Sequence, residues 1–242
     1  RLPVILKDCK PPTEYFNMAN KDSRLLSTEE QWDIYSTPAL NAFERAQYFR
    51  LSPEEVMALE SFQSIGTSIY FAICLVLLKL KGTLIKFKYQ EVTLERQYIM
   101  ERYFPTRKSP RSFPSQRDLI ATIENKALKL CGYHRCTEQY KKKIQAALQQ
   151  QAAHYPRQRK LCKVLLDLLT EHRIVIPPYS VLQTIVAEVW SKENKRIVSA
   201  YCRATNKKER ESVYSLLNKT DSINRIANIK KDMRGFNNAA LA

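Results

Sequence analysis

From "LLSTEEQWDIY" onward the apolar positions of this chain recur in steps of three and four residues, the period of helices lying on a core. Ser27 with Glu30 three residues later spells a capping box, and Trp32, Ile34 and Tyr35 begin the apolar face behind it. "LSPEEVMALESF" repeats the device, with Ser52 as N-cap, Pro53 at the first helical position and Glu54 and Glu55 at the positive helix end. "SIGTS" (Ser64 to Ser68) reads as a turn, followed by a helix from Ile69 to about Lys81. Its run Ile69 to Leu78 is apolar throughout and ends at Lys79, which predicts a buried helix too short to span a bilayer. Leu84 to Tyr89 alternates apolar and basic residues and is either a short strand or an extended connector. "TLERQYIMERYF" is helical again until Pro105.

Pro105 to Arg117 contains three prolines and four basic residues without periodicity, so the domain boundary is placed there. Helices are expected at Asp118 to Cys131, closed by Gly132, at Glu138 to Tyr155, at Lys160 to His172, and from about Ser180, where Ser180 and Gln183 form a candidate capping box. Between the last two, "IVIPP" is extended, and Pro177 with Pro178 keeps the helices apart. Further helices are expected in "KKERESVYSLLNK" and "SINRIANIKKDMRGF". The expected fold class is mainly α: multi-helix bundles with helix-turn-helix-like modules joined by a basic, Pro-rich linker. Its parts are a tail or arm (1–23), a first helical DNA-binding domain (24–104), the linker (105–117), a second, helix-turn-helix-like module (118–158) and a third helical module for bracing or dimerisation (159–242).

Charge changes the picture from architecture to partner. The chain carries a net charge of +16, and residues 79–163 alone hold 20 basic and six acidic side chains. A basic excess so concentrated points to a polyanion. The six cysteines form no CxxC pair, which reads as a reduced, intracellular protein, and no signal peptide is visible.

Two segments fit helix–turn–helix logic, in which one helix braces and the next presents side chains to the major groove. In the first, the presenting helix opens with Gln139, Tyr140, Lys141, Lys142 and Lys143 and continues through Gln145, with Arg135 in the turn before it. Gln and Lys reach base edges, while Lys, Arg and Tyr reach phosphates. Flanking cations extend the candidate DNA-binding set to Lys79, Lys81, Lys86, Lys88, Arg107, Lys108, Arg111, Arg117, Arg157, Arg159 and Lys160. In the second segment, Leu182, Ile185, Val186, Val189 and Trp190 fall on a core face, so its firm punctuation is structural. Gly66, Thr67 and Ser68 stand where a helix N-terminus either takes a phosphate or forms an ordinary capped turn. Catalysis finds little support. His134, His154 and His172 lack metal-pair spacing, the group Cys131, His134 and Cys136 matches no common zinc module, and no nucleotide or nucleophile fingerprint occurs. No catalytic residue, metal or cofactor is assigned.

The order of segments resembles the amino-terminal part of the replicative, class II bacterial transposases of the Tn-three family. "LLSTEEQWDIYSTP", "ERAQYFRLSPEEVMALESF" and "IYFAICLVLLKLKG" are similar to that family's opening helices, "LCGYHRCT" to its "LGYR" turn, and Leu169, Arg173, Ile174, Pro177, Val181 and Ala187 or its neighbours to a later "LxxxRIxxPxxxLxxxxxxA" pattern. His134, inserted between Tyr133 and Arg135, departs from the turn pattern. The resemblance implies sequence-specific binding of double-stranded DNA at transposon terminal inverted repeats, in the bacterial cytoplasm at the nucleoid. The RNase-H-like catalytic core of such enzymes lies downstream of this region, so the chain is expected not to be an enzyme by itself. The implied partners are transposon-end DNA and the rest of the transposase or a second copy, with no membrane. The alternative is a protein-interaction or dimerisation module, or an end-binding regulator of transposition.

Overall fold

A computed structural model describes residues 24–155, 157–209 and 211. By compactness the chain divides after Ser191, inside its last long helix. The protein is mainly helical, as the periodicity predicts: the described residues form α1 (Thr28–Tyr35), α2 (Ala42–Tyr48), α3 (Pro53–Glu60), α4 (Ile65–Lys81), α5 (Thr93–Tyr103), α6 (Arg117–Cys131), α7 (Glu138–Ala152), α8 (Gln158–Glu171) and α9 (Tyr179–Ala204).

Helix α4 is the axis of the first core. Every residue from Gly66 to Leu78 is buried, and α3, α5 and α6 pack around it. Burial of side chains such as Phe71, Ile73, Leu75 and Leu78 contributes about 1.5–3 kcal/mol each. The helix starts four residues before the expected Ile69, because Gly66, Thr67 and Ser68 lie inside it. Ser68 satisfies its buried hydroxyl on the carbonyl of Leu59 (2.9 Å). Gly66 admits the backbone of another segment: a Cβ there would stand 2.7 Å from the carbonyl oxygen of Ser112. The N-terminus of α4 is thus covered by protein, which removes it as a phosphate site.

The same contact relocates the expected boundary. Segment 105–117 lies within one compact body, and the helices on either side of it, α4 and α6, pack directly on each other. Phe113 is the anchor, edge-on to Tyr70, Phe87 and Tyr89 at 5.4, 5.7 and 5.0 Å between ring centres. The Tyr89 hydroxyl donates to the Pro110 carbonyl. Prolines here shape a packed loop rather than a spacer. Residues 83–89 form an extended connector, with Ile85 and Phe87 inward and Lys86 and Lys88 outward.

A second core gathers Leu25, Leu26, α7, α8 and the first turns of α9. The expected pairing of α6 under α7 does not form: α6 packs on α4 and α7 on α8. Gly132 closes α6 in the left-handed region (φ 66°), and the chain leaves for the other core. At the end of α8 the left-handed position is filled by Arg173 (φ 48°). There the Ile174 N–H bonds the Leu169 carbonyl (2.8 Å) and the Arg173 N–H that of Thr170 (3.0 Å), a Schellman closure.

"RIVIPP" then works as a strap between the cores. Ile174 belongs to the second core and Val175 to the first. The backbone of His134 exchanges bonds with Arg173 and Val175 (2.8 and 2.9 Å), an isolated parallel bridge. The Ile176 N–H bonds the Gly82 carbonyl (2.9 Å), and the Thr83 hydroxyl returns to the Ile176 carbonyl (2.9 Å). Helix α9 begins one residue earlier than expected, at Tyr179, with the Pro178 carbonyl accepting from Val181 (2.8 Å), so Ser180 sits inside the first turn rather than at the cap.

Beyond Ser191, Arg196 grips Glu193 with two nitrogens (2.9 and 2.7 Å), and Asn206 and Glu209 exchange capping bonds (2.8 and 2.9 Å). The expected tail (1–23), the "SINRIANIKKDMRGF" helix and all but the first residues of "KKERESVYSLLNK" lie outside the described residues.

Candidate nucleic-acid interface

Several of the candidate cations are already neutralised by acids distant in sequence. Lys79 holds the buried Glu55 (2.5 Å), and Lys81 bonds both the carboxylate (2.8 Å) and the carbonyl (2.6 Å) of Asp33. Arg135 bonds Glu124 (2.7 Å) and Asn125 (2.8 Å), so it braces the end of α6 instead of projecting from the turn. Arg159 pairs with Glu30 (3.1 Å). Gln145 donates to Glu188 on α9. These five side chains fasten helices together, and the turn-based reading of Arg135 is revised accordingly.

The rest of the set divides into two surfaces. On α7, Ile144, Leu148 and Ala152 face the core, leaving Gln139, Lys142, Lys143, Ala146 and Gln150 exposed at helical spacing on the opposite face. Between Gln139 and Gln150 the stripe holds no acidic residue; Glu138 stands exposed just before it, one turn from Lys142. Tyr140 is half-buried and stacked on the His134 ring (5.1 Å, 19°), with the Lys143 ammonium 5.7 Å from its ring centre. Lys141 is half-buried at the flank. Arg157 and Lys160 are exposed at the start of α8, the helix that braces α7. Along α7 the distance from Lys142 to its C-terminal end is roughly 15 Å at 1.5 Å per residue.

The second surface surrounds the packed loop. Lys86 and Lys88 project from the connector, and Arg107, Lys108 and Arg111 from the loop that Phe113 and Tyr89 hold against it. Arg117 is exposed at the first position of α6, where the positive helix end disfavours a cation that has no anion beside it. Among the described residues, none of Lys86, Lys88, Arg107, Lys108, Arg111, Arg117, Lys142, Lys143, Arg157 or Lys160 has an ion pair.

Sequence reasoning passed over two residues here. The Arg96 guanidinium lies 3.5 Å over the Tyr89 ring, and its Nη1 has no hydrogen-bond partner among the described residues. Trp32, read as part of the inward face of α1, is 73% exposed. Helical spacing alone does not carry the information, because α1 is too short to define one face.

Burial, opposed by Lys79, raises the Cys131 thiol, and burial, opposed by Lys141, raises that of Cys136. Burial, reinforced by Glu30, pushes Cys162 up to about 11. All three stay protonated near neutrality. Among the described residues, no three His, Cys, Asp or Glu side chains are placed to hold a metal ion, and no helix is long and apolar enough to cross a membrane.

Fold and surface together define an all-helical domain with two patches of unpaired cations. A protein-family model described as a domain of unknown function, DUF4158, matches residues 25–189, and the chain belongs to that family. Its limits fall close to those of the compact body that ends at Ser191. No curated protein matches the chain.

Proposed function

We propose that the chain binds double-stranded DNA, as the non-catalytic end-recognition part of a replicative transposase directed at terminal inverted repeats. One observation carries the reading: the outward stripe of α7, with Gln139, Lys142, Lys143 and Gln150, whose two lysines have no ion pair among the described residues, displayed by a helix that α8 holds from behind. Lysines supply phosphate contacts and counterion release, and glutamines supply paired donor and acceptor groups for base edges. The small Ala146 between them permits close approach of the helix to a groove. The loop surface from Lys86 to Arg111 adds contacts to the backbone, which position the protein without reading sequence.

The test compares K142A/K143A with K79A by fluorescence anisotropy on a labelled duplex. The reading expects a large loss for the first, since two free cations vanish. It expects little change for the second, since Lys79 is already paired with Glu55. Equal effects, or none from the double variant, overturn it. A dimerisation role has one observation in its favour: Ile197, Val198 and Tyr201 are 51%, 40% and 36% exposed along one side of α9. Sedimentation velocity of I197E/Y201E tests that role, which a concentration-independent monomer in the unsubstituted protein would eliminate.

A further inference from the structure

Helix α1 is fastened on its inner side and leaves its largest side chain outside. Glu30 accepts from the Ser27 N–H (2.7 Å) and pairs with Arg159, Asp33 is held by Lys81, and the Tyr35 hydroxyl donates to the Pro177 carbonyl (2.7 Å). Trp32 is thereby set on a rigid platform at 73% exposure. It borders an open groove of about 670 Å³, whose polar lining includes Gln31, Thr37, Lys86 and Glu91. Lys86 also belongs to the cationic loop surface, so the groove continues the candidate DNA interface.

We infer that this groove takes an unpaired nucleobase in a single-stranded extension of the bound duplex, stacked on Trp32; the inference depends on the DNA-binding reading above. An aromatic face beside a cation is the pairing that holds single strands: the ring stacks a base and the ammonium meets a phosphate. The Thr37 hydroxyl and the Gln31 amide oxygen are available to the base edge, while the Gln31 nitrogen is engaged by the Leu26 carbonyl (3.1 Å). Enzymes that extrude a base from within a duplex enclose it in a snug pocket. This groove is open, which favours a strand end lying across it.

The chain has two tryptophans, and the other, Trp190, is half-buried against the second core. In a W190F background, Trp32 emission therefore reports the groove alone. The experiment titrates this protein with a fully paired duplex and with the same duplex carrying a short single-stranded extension, and repeats both titrations with W32A and W32F by anisotropy. The expected results are quenching by the extended duplex only, about tenfold weaker binding of that DNA by W32A, and recovery in W32F. Emission unchanged by the extension, or equal binding of both DNAs by wild type and W32A, overturns the inference while leaving duplex binding intact. Failure of the unsubstituted protein to bind either DNA overturns the DNA-binding reading and this inference with it.

Discussion

Replacing Gly66 by alanine sets two known effects against each other. In a helix interior alanine is favoured over glycine by about 1 kcal/mol. Gly66 stands at the second position of α4, near a terminus, so only part of that gain applies. Opposing it, the new Cβ would lie 2.7 Å from the Ser112 carbonyl and 3.5 Å from Pro110. The first contact is with backbone, so the neighbour cannot turn aside as a side-chain tip would. Segment 110–113 is held by the Phe113 aromatic cluster and the Tyr89–Pro110 hydrogen bond, and displacing it is an overpacking cost of about 1–3 kcal/mol. The net expectation is a destabilisation of about 0.5–2 kcal/mol, a fall of a few degrees in melting temperature for a body of this size. Urea denaturation at constant m-value is the assay. Arg111 moves with the loop, so duplex affinity should fall in the same variant. A stabilised G66A protein would show that the propensity gain is realised freely, and that the loop does not rest on α4.

Three further outcomes follow from local geometry. Arg173 is left-handed at φ 48°, so R173G should be neutral or stabilising by up to about 1 kcal/mol, while R173V, β-branched there, should be destabilised by at least that much; chemical denaturation separates the two. The Glu30 carboxyl is held below its ordinary value, first by the Ser27 N–H, against which desolvation works, and then by Arg159 and Lys163. A depressed folded-state value gives stability that is present above the unfolded value near 4.5 and lost as pH falls through the depressed one. Melts of wild type and E30Q should therefore differ at neutral pH and converge in acid, whereas a difference that persists into acid would contradict this assignment. Removing Lys142 and Lys143 together should lower the magnitude of the salt slope of duplex binding by about 1.8.

What the sequence made legible was local. The capping boxes at Ser27/Glu30 and Ser52/Glu55, the buried run to Leu78 and the left-handed Gly132 each depend on residues within one turn of each other, and each stands as read. The Asn41/Glu44 box of α2 carried the same signal and was overlooked. The misreadings involve long separations. Prolines at 105–114 resembled a linker because nothing local announces that Phe113 inserts between rings at 70, 87 and 89. Likewise, the short turn between α6 and α7 suggested a packed pair, but α6 packs on α4 in the first core and α7 on α8 in the second. At the candidate interface, charge type was readable from residue identity. Which cations remained free was not, since Lys79, Lys81, Arg135 and Arg159 are neutralised by acids 11 to 129 positions away.

The central claim is that the free cations of the loop and of α7 engage a DNA duplex. It is tested most directly by anisotropy of the whole chain on a terminal-inverted-repeat duplex and on a random duplex, from about 50 to 200 mM salt. With about six to ten of the exposed unpaired cations meeting phosphates, log affinity should fall against log salt with a slope of roughly −5 to −9, and the repeat should be bound more tightly at every salt concentration. No measurable binding to either duplex at the lowest salt would contradict the account.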